Sequence, residues 1–193
     1  DKNYKKYLIK KFKNEIDENR ILILNYEKEK RKHLEHYLNI DLSLDTFPYN
    51  GHTTVSEAIR RGVPTLTLSG NSFASRVASS LLNSMELKIL VKNYQEAFNN
   101  QDIDRLRNLF DSNILLKDWE RSVQGIENVI KENQKIFDSV KSLKCLTVKE
   151  YYQENTAICV LKINIDDTET IDVVDIIEFN DDSKITSITA YKG

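Results

Sequence analysis

The sequence predicts an α/β segment followed by an α+β domain, because the spacing of its apolar residues changes near residue 88. Residues 1–87 alternate short apolar runs with helical patterns, whereas residues 88–193 place helical patterns first and alternating strand patterns afterwards. The charge changes at the same point, from a net +3 in residues 1–87 to a net −5 in residues 88–193. We therefore expect two domains, 1–87 and 88–193.

The first domain is expected to be a partial Rossmann-like α/β arrangement of three strand-helix units. Its apolar runs are ILIL at 21–24, LSLDT at 42–46 and PTLTLS at 64–69, and a helical pattern follows each of them. Such alternation is typical of a parallel sheet with right-handed crossovers. Parallel sheets are normally covered on both faces, so three strands alone suggest one part of a larger lobe.

The stretch YNGHTTVSE at 49–57 is the most informative part of this domain. Asn-Gly favours a sharp turn, and His52, Thr53 and Thr54 then fall at a helix N-terminus, where free backbone N–H groups attract phosphate. Thr54 and Glu57 also have the spacing of a capping box, which would serve only to start the helix. Both interpretations remain open from the local chemistry.

Three runs in this domain, KHLEHY at 32–37, LDTFPYNGHTT at 44–54 and ASRVASSLL at 74–82, carry a family resemblance. Residues 8–87 closely resemble the C-terminal lobe of tetratricopeptide-type O-linked N-acetylglucosamine transferases. The resemblance implies that His52, Thr53 and Thr54 hold the diphosphate of a UDP-sugar, that Glu57 contacts the ribose, and that His33 lies beside the uridine. It also implies that transfer needs an acceptor lobe from a longer parent protein.

The second domain is expected to be an α+β cone in which three helices cover a curved antiparallel sheet. Apolar stripes of helical period begin at Leu87, Ile103 and Ile126. Strict alternation then places Ala157, Cys159 and Leu161 on one strand face, and residues 171–179 repeat the pattern. Short polar turns at 166–169 and 180–184 connect the strands as hairpins.

Two carboxylates occupy strand positions that the alternation predicts to face the interior of the domain. Asp175 stands between Val173 and Ile177, and the parity of Leu116 carries Asp118 to the same side as the apolar residues. An unpaired buried carboxylate costs several kcal/mol or keeps its proton, so two of them suggest a site. The alternative is that one or both lie at the open mouth of the sheet, in water or beside Lys or Arg. Tyr94 has an alternative as ordinary core.

The phrases YQEAFNNQDIDRLRNLF, LLKDWERSVQGIENV and VVDIIEFNDDSKITSITAYKG resemble the nuclear-transport-factor-like superfamily, which includes ketosteroid isomerase and the SnoaL-like cyclases. Ketosteroid isomerase combines an Asp base with an oxyanion hole of a Tyr and a protonated Asp. The resemblance implies that Asp118 is the base and that Tyr94 and Asp175 donate hydrogen bonds to an enolate oxygen. A non-enzymatic alternative is a domain that binds an apolar ligand or dimerises.

For the whole chain we expect the UDP-sugar-binding part of a glycosyltransferase fused to a small-molecule pocket domain. No cofactor is expected beyond a UDP-sugar donor, and the spacing of Cys145 and Cys159 indicates neither metal binding nor a disulfide framework. No run is apolar enough to span a membrane, and interleaved Glu among the N-terminal Lys residues argues against nucleic-acid binding. We expect a cytoplasmic homodimer.

Overall fold

A computed structural model describes residues 2–12, 15 and 17–193. The chain divides into two compact units, residues 1–45 with 52–66 and residues 46–51 with 67–193. The domain boundary predicted at residue 87 stays a prediction, and its position falls inside a helix that runs unbroken over Val77–Asn99.

The described residues of the first unit form three short helices and one pair of very short strands. Two additional 3₁₀ turns lie at Glu18–Arg20 and His36–Asn39. The regular elements are α1 Lys2–Phe12, α2 Lys30–Glu35, β1 Ser43–Leu44, α3 Thr53–Arg60 and β2 Thr65–Leu66. β1 and β2 pair in parallel, and a small apolar cluster of Tyr37, Ala58 and Val63 holds α3 against the segment that follows α2.

The structure does not confirm three strand-helix units. Residues 21–24 form no strand, and Leu22 within them is 82% exposed. The runs at 42–46 and 64–69 contribute only two paired residues each. A strand requires a hydrogen-bonded neighbour, and the described residues supply residues 21–24 with none, so an apolar run alone was insufficient evidence.

The second unit packs three helices against a six-stranded sheet. The helices are α4 Val77–Asn99, α5 Ile103–Leu109 and α6 Ile126–Ser139. The strands are β3 Phe110–Lys117, β4 Ser122–Gln124, β5 Leu143–Gln153, β6 Thr156–Ile165, β7 Glu169–Phe179 and β8 Ile185–Lys192. These elements form the predicted α+β cone.

The sheet order is β4-β3-β8-β7-β6-β5, and one of its five pairings is parallel. β3 lies parallel to β8, so the prediction of a purely antiparallel sheet was wrong. Alternation reveals which face of a strand is buried but not which distant strand it joins, and β3 and β8 lie far apart in the chain. Register shifts in the β5–β6 and β3–β8 pairings mark bulges, which bend strands and add twist to the curved sheet.

The inward face of the sheet carries the apolar core and confirms the predicted alternation. Cys159, Leu161, Val173 and Ile177 are each at most 2% exposed, whereas the residues between them are more accessible. The turn between β6 and β7 places Asp166 and Asp167 at φ 52° and 55°, a pair of left-handed conformations typical of a tight hairpin. This hairpin fixes the register in which Asp175 pairs with Cys159.

A search for helices able to cross a membrane, covering the described ranges, found none of sufficient length and apolarity.

Candidate functional site

The second unit encloses a cavity of about 220 Å³ between the helices and the inward face of the sheet. Tyr94 from α4, Asp175 from β7 and Asp118 from the end of β3 all line it. The structure thus brings together the three residues that the sequence singled out in this domain. Most of the remaining lining is apolar, including Phe98, Ile163 and Val173.

Asp175 is a buried carboxylate without a hydrogen-bonding partner among the described residues. Its residue is 8% exposed, and Cys159 on β6 and Ala190 on β8 are its neighbours across the sheet. Burial disfavours the charged form and raises the pKa of Asp175 from 3.8 to about 7. Near neutral pH this group therefore exists both as an acid that donates a hydrogen bond and as an anion.

Tyr94 faces the same cavity from α4 and is 8% exposed. Burial, followed by the nearby Asp175 carboxylate, raises the pKa of Tyr94 well above its usual value. The phenol therefore keeps its proton and is available as a hydrogen-bond donor. Its ring lies 6.1 Å from that of Phe98 and 6.2 Å from that of Phe110, so the alternative of a core position applies to the ring, and the residue also lines the cavity.

Asp118 lies just beyond β3, where its carboxylate closes a turn. One oxygen accepts hydrogen bonds from the backbone N–H groups of Glu120 at 2.7 Å and Arg121 at 2.8 Å. The other lies 3.4 Å from Nε of Arg121. The prediction that the Asp118 side chain points inward is correct, since Asp118 lines the cavity. The alternative, in which an arginine pairs with this carboxylate, also applies. Charge-assisted bonds of this kind stabilise the carboxylate anion.

Several other residues that line the cavity were not predicted from the sequence. Arg121 ties Asp118, Glu120 and Glu132 together, with Nη1 3.0 Å from Glu132. Trp119 also lines the cavity and lies beyond the end of β3, where strand alternation no longer sets the direction of a side chain. An Asp followed three residues later by Arg, directly after a strand, is the one signal that could have indicated this turn.

Two amide side chains complete the polar lining. Asn133 on α6 is 4% exposed and donates from Nδ2 to the carbonyl of Val129 at 2.9 Å. Gln95 on α4 accepts a hydrogen bond from the Thr147 hydroxyl at 2.8 Å, and its Nε2 is buried without a partner among the described residues. Buried polar atoms left unpaired in this way are points where a ligand or water can bind.

The first unit carries a separate group of predicted residues at the start of α3. His52 is the N-cap residue of α3, and the first backbone bond of the helix runs from Ser56 N–H to the His52 carbonyl at 3.0 Å. The N–H groups that precede Ser56 have no partner within the helix and point out of its positive end. His52, Thr53 and Thr54 are all exposed there.

Glu57 joins this helix to α2. Its Oε2 lies 3.3 Å from Nε2 of His33, while no side chain caps the helix, so the capping-box alternative is not formed. Thr54 contributes differently from its neighbours, because its carbonyl accepts a hydrogen bond from Tyr37 at 3.4 Å. His33 and Glu57, two of the five residues predicted to bind UDP-sugar, are therefore in contact. The other three, His52, Thr53 and Thr54, lie together at the start of α3.

A second cavity of about 460 Å³ runs along this face of α3. Its lining comprises Lys30, Leu34, His52, Thr53, Ser56, Glu57, Arg60 and Arg61. Lys30, Arg60 and Arg61 form no ion pair with any described residue. Arg60 and Arg61 lie at the C-terminal end of α3, while His52 and Thr53 lie at its start. The unpaired cations of the lining and the free N–H groups of the first helical turn both favour an anionic ligand. Within the described ranges, no cluster of three His, Cys, Asp or Glu side chains is arranged to hold a metal ion.

Family models match both parts of the chain. The model of glycosyl transferase family 41 matches residues 3–123, and that of the SnoaL-like domain matches residues 91–188. The two matches overlap at 91–123, a stretch that contains the end of α4, α5 and β3, all within the second unit.

Curated relatives match part of the chain. A Petunia hybrida protein described as a probable UDP-N-acetylglucosamine–peptide N-acetylglucosaminyltransferase SPINDLY is 37% identical over 78 residues, which are 40% of this chain and 8% of the relative. A UDP-N-acetylglucosamine–peptide N-acetylglucosaminyltransferase of Giardia intestinalis is 35% identical over 72 residues, which are 37% of this chain and 5% of that protein. The chain thus spans less than a tenth of the length of either relative.

Solved structures match the C-terminal part and establish its fold. An epoxide hydrolase of M. tuberculosis described as LEH-like has 12% identity and a TM-score of 0.51 over 57% of this chain and 84% of its own. A protein with a cystatin-like fold from Methylobium petroleophilum has 10% identity and a TM-score of 0.52 over 57% and 77%. An NTF-2-like protein from Burkholderia xenovorans has 14% identity and a TM-score of 0.50 over 58% of this chain and 86% of its own. Since each family model covers more than half of the residues, the chain belongs to glycosyl transferase family 41 and contains a SnoaL-like domain of nuclear-transport-factor-like fold.

Proposed function

We propose that the first unit binds the UDP-sugar of an O-linked N-acetylglucosamine transferase-like protein, and that the cavity of the second unit binds a small hydrophobic molecule. The observation that supports the first part most strongly is the 3.3 Å contact of His33 with Glu57. These residues lie 24 positions apart, and the family resemblance implies that they meet the uridine and the ribose of one nucleotide.

In this proposal the diphosphate lies at the start of α3. The free N–H groups of the first helical turn carry partial positive charge and would bind phosphate oxygens directly. Lys30, Arg60 and Arg61 border the same cavity and would offset the remaining negative charge. Sugar transfer itself would use the acceptor lobe of a longer parent protein, so this chain alone is proposed to bind UDP and not to transfer sugar.

Calorimetric titration with UDP tests the site, and Glu57→Ala is the informative variant. Loss of a charge-assisted hydrogen bond to the ribose should weaken UDP binding by about tenfold or more. Uridine should bind far more weakly than UDP, because it lacks the phosphates that the helix start attracts.

Glu35→Ala is the matched control, since Glu35 is an exposed residue of α2 whose carboxylate pairs with Arg31. Its affinity for UDP should equal that of the parent chain. No binding of UDP at millimolar concentration would contradict the proposal, as would equal losses in the two variants.

A second candidate function of the cavity is proton transfer next to a carbonyl group. It is favoured because Asp118, Tyr94 and Asp175 line one cavity of largely apolar character. Asp118 would take the proton, while the phenol and the neutral Asp175 acid would donate hydrogen bonds to the enolate oxygen. The turn bonds and the Arg121 contact hold the Asp118 carboxylate in place at the cavity.

The variant Asp118→Asn tests this candidate cleanly, because an amide oxygen can still accept both backbone bonds of the turn. With 3-cyclohexenone as a one-ring substrate, its isomerisation to the conjugated enone should slow by about a hundredfold or more in Asp118→Asn. Asp138→Asn, at an exposed position of α6, should react at the parental rate. An unchanged rate in Asp118→Asn would exclude Asp118 as the base.

A further inference from the structure

The charges that line the cavity of the second unit are unbalanced. Three carboxylates, those of Asp118, Glu120 and Asp175, face a single cationic side chain, Arg121. The guanidinium of Arg121 is already shared between Asp118, Glu120 and Glu132, the last lying outside the lining. In the part of the chain that the structure describes, the lining therefore offers no unpaired cation to an anionic ligand, and its field favours a positive one.

Two of the deep polar side chains of the cavity present acceptors to a hydrogen-bond donor, whereas the unpaired Nε2 of Gln95 presents a donor. Asn133 must donate from its amide nitrogen to the Val129 carbonyl, because a carbonyl can only accept, and this fixes Oδ1 as an unpaired acceptor. The Asp175 carboxylate likewise makes no hydrogen bond with the described residues. Both residues are more than nine-tenths buried and line the cavity, so a ligand that enters it can reach their acceptor atoms.

The size and the aromatic walls of the cavity limit the rest of the ligand. A cavity of about 150 Å³ holds benzene, and pockets for drug-sized ligands occupy roughly 300–1,000 Å³, so about 220 Å³ corresponds to one ring with a short substituent. Tyr94, Phe98 and Trp119 provide aromatic surface, and aromatic faces attract cations. The ammonium of Lys192 already lies 5.8 Å from the Trp119 ring centroid.

We propose that this cavity binds a small one-ring hydrophobic amine in its ammonium form, with the ammonium group hydrogen-bonded to Asp175 and Asn133. The inference rests on the proposed role of the cavity as a small-molecule site and specifies the charge of its ligand. It requires Asp175 to be ionised in the complex, whereas the proton-transfer candidate requires the neutral acid.

The affinity for an ammonium ligand should therefore increase with pH. The groups that face Asp175 are Tyr94 of α4, Cys145 of β5 and Cys159 of β6, with Ala190 on β8, and none of them is cationic. Burial raises the pKa of each thiol to about 12, so both remain neutral. Only Asp175, with a pKa of about 7, changes its charge in this group between pH 5.5 and 8.

The test compares 2-phenylethylamine with 2-phenylethanol, which has the same shape and no charge, by calorimetric titration at pH 5.5 and pH 8. The amine should bind about tenfold or more tightly than the alcohol at pH 8, and its affinity should rise about tenfold or more from pH 5.5 to pH 8. Asp175→Asn should remove both effects. The exposed Asp138→Asn variant should behave as the parent chain does.

Three outcomes would overturn the inference in distinguishable ways. Equal binding of amine and alcohol, or tighter binding of both at the lower pH, would refute the charge assignment and leave the cavity as a site for neutral ligands. Retention of the amine preference in Asp175→Asn would refute the role of that carboxylate. If neither compound binds at millimolar concentration, the small-molecule role of the cavity is refuted as well.

Discussion

Asp175→Asn will make the folded chain more stable than the parent by about 4 kcal/mol at pH 8, and this gain will vanish near pH 4. The folded state keeps the Asp175 proton until about pH 7, whereas the unfolded chain releases it near 3.8. The unfolded state therefore binds fewer protons between these values, and stability falls as the pH rises through this window. Asparagine is nearly isosteric with aspartate and carries no charge, so Asp175→Asn removes this loss of stability at high pH.

Urea unfolding at a series of pH values measures the effect as the difference between variant and parent. The matched control is Asp172→Asn, on the same strand, whose carboxylate is exposed and pairs with Lys162 at 2.8 Å. The free energy of unfolding of Asp172→Asn should differ little from that of the parent at every pH, since exposed ion pairs contribute little. A constant difference for Asp175→Asn across the series would show that this carboxylate ionises as readily in the folded chain as in the unfolded one.

Ile177→Ala will lower the free energy of unfolding of the cone by about 2–5 kcal/mol. Ile177 is fully buried on β7 and pairs with Ala157 on β6 and Ile188 on β8, both of them also buried. Truncation removes apolar contacts and leaves a void that the neighbouring strands cannot close fully.

Ile158→Ala provides the control on the outer face of the same sheet. Ile158 is 37% exposed, so its truncation removes less buried surface and should cost about 1 kcal/mol or less. Urea unfolding of both variants at one pH gives the comparison. Equal costs would contradict the assignment of the inward face of β7 to the core.

The inward placement of Asp175 was predictable from sequence because alternation is a local property. Each residue of a strand faces opposite to its neighbour, so Val173 and Ile177 determine the direction of Asp175 whatever the rest of the fold does. Asp118, although predicted inward by the same alternation, lies beyond β3, which ends at Lys117, in a turn that has no parity. For this reason the Trp119 and Arg121 side chains were not foreseen.

The first unit was less predictable because one of its apolar runs, residues 21–24, lacks a strand partner among the described residues and the other two pair over two residues each. Leu22 and Leu24 read as a strand in the sequence, yet they are 82% and 50% exposed and form no strand. Local spacing cannot reveal whether a neighbouring strand exists. The helix start at Thr53 was predicted correctly, since turn residues and helix period are both local signals, whereas the contact of Glu57 with His33 depends on how α2 and α3 pack.

The central claim, that α2 and the start of α3 form a nucleotide site, is tested most directly by residue-resolved amide NMR during titration with UDP. We predict that the amide resonances of His33, Thr53, Thr54 and Glu57 shift in a saturable manner, while those of Tyr94 and Asp175 in the separate cavity do not. Saturable shifts confined to the cone, or no shifts at millimolar UDP, would contradict the claim.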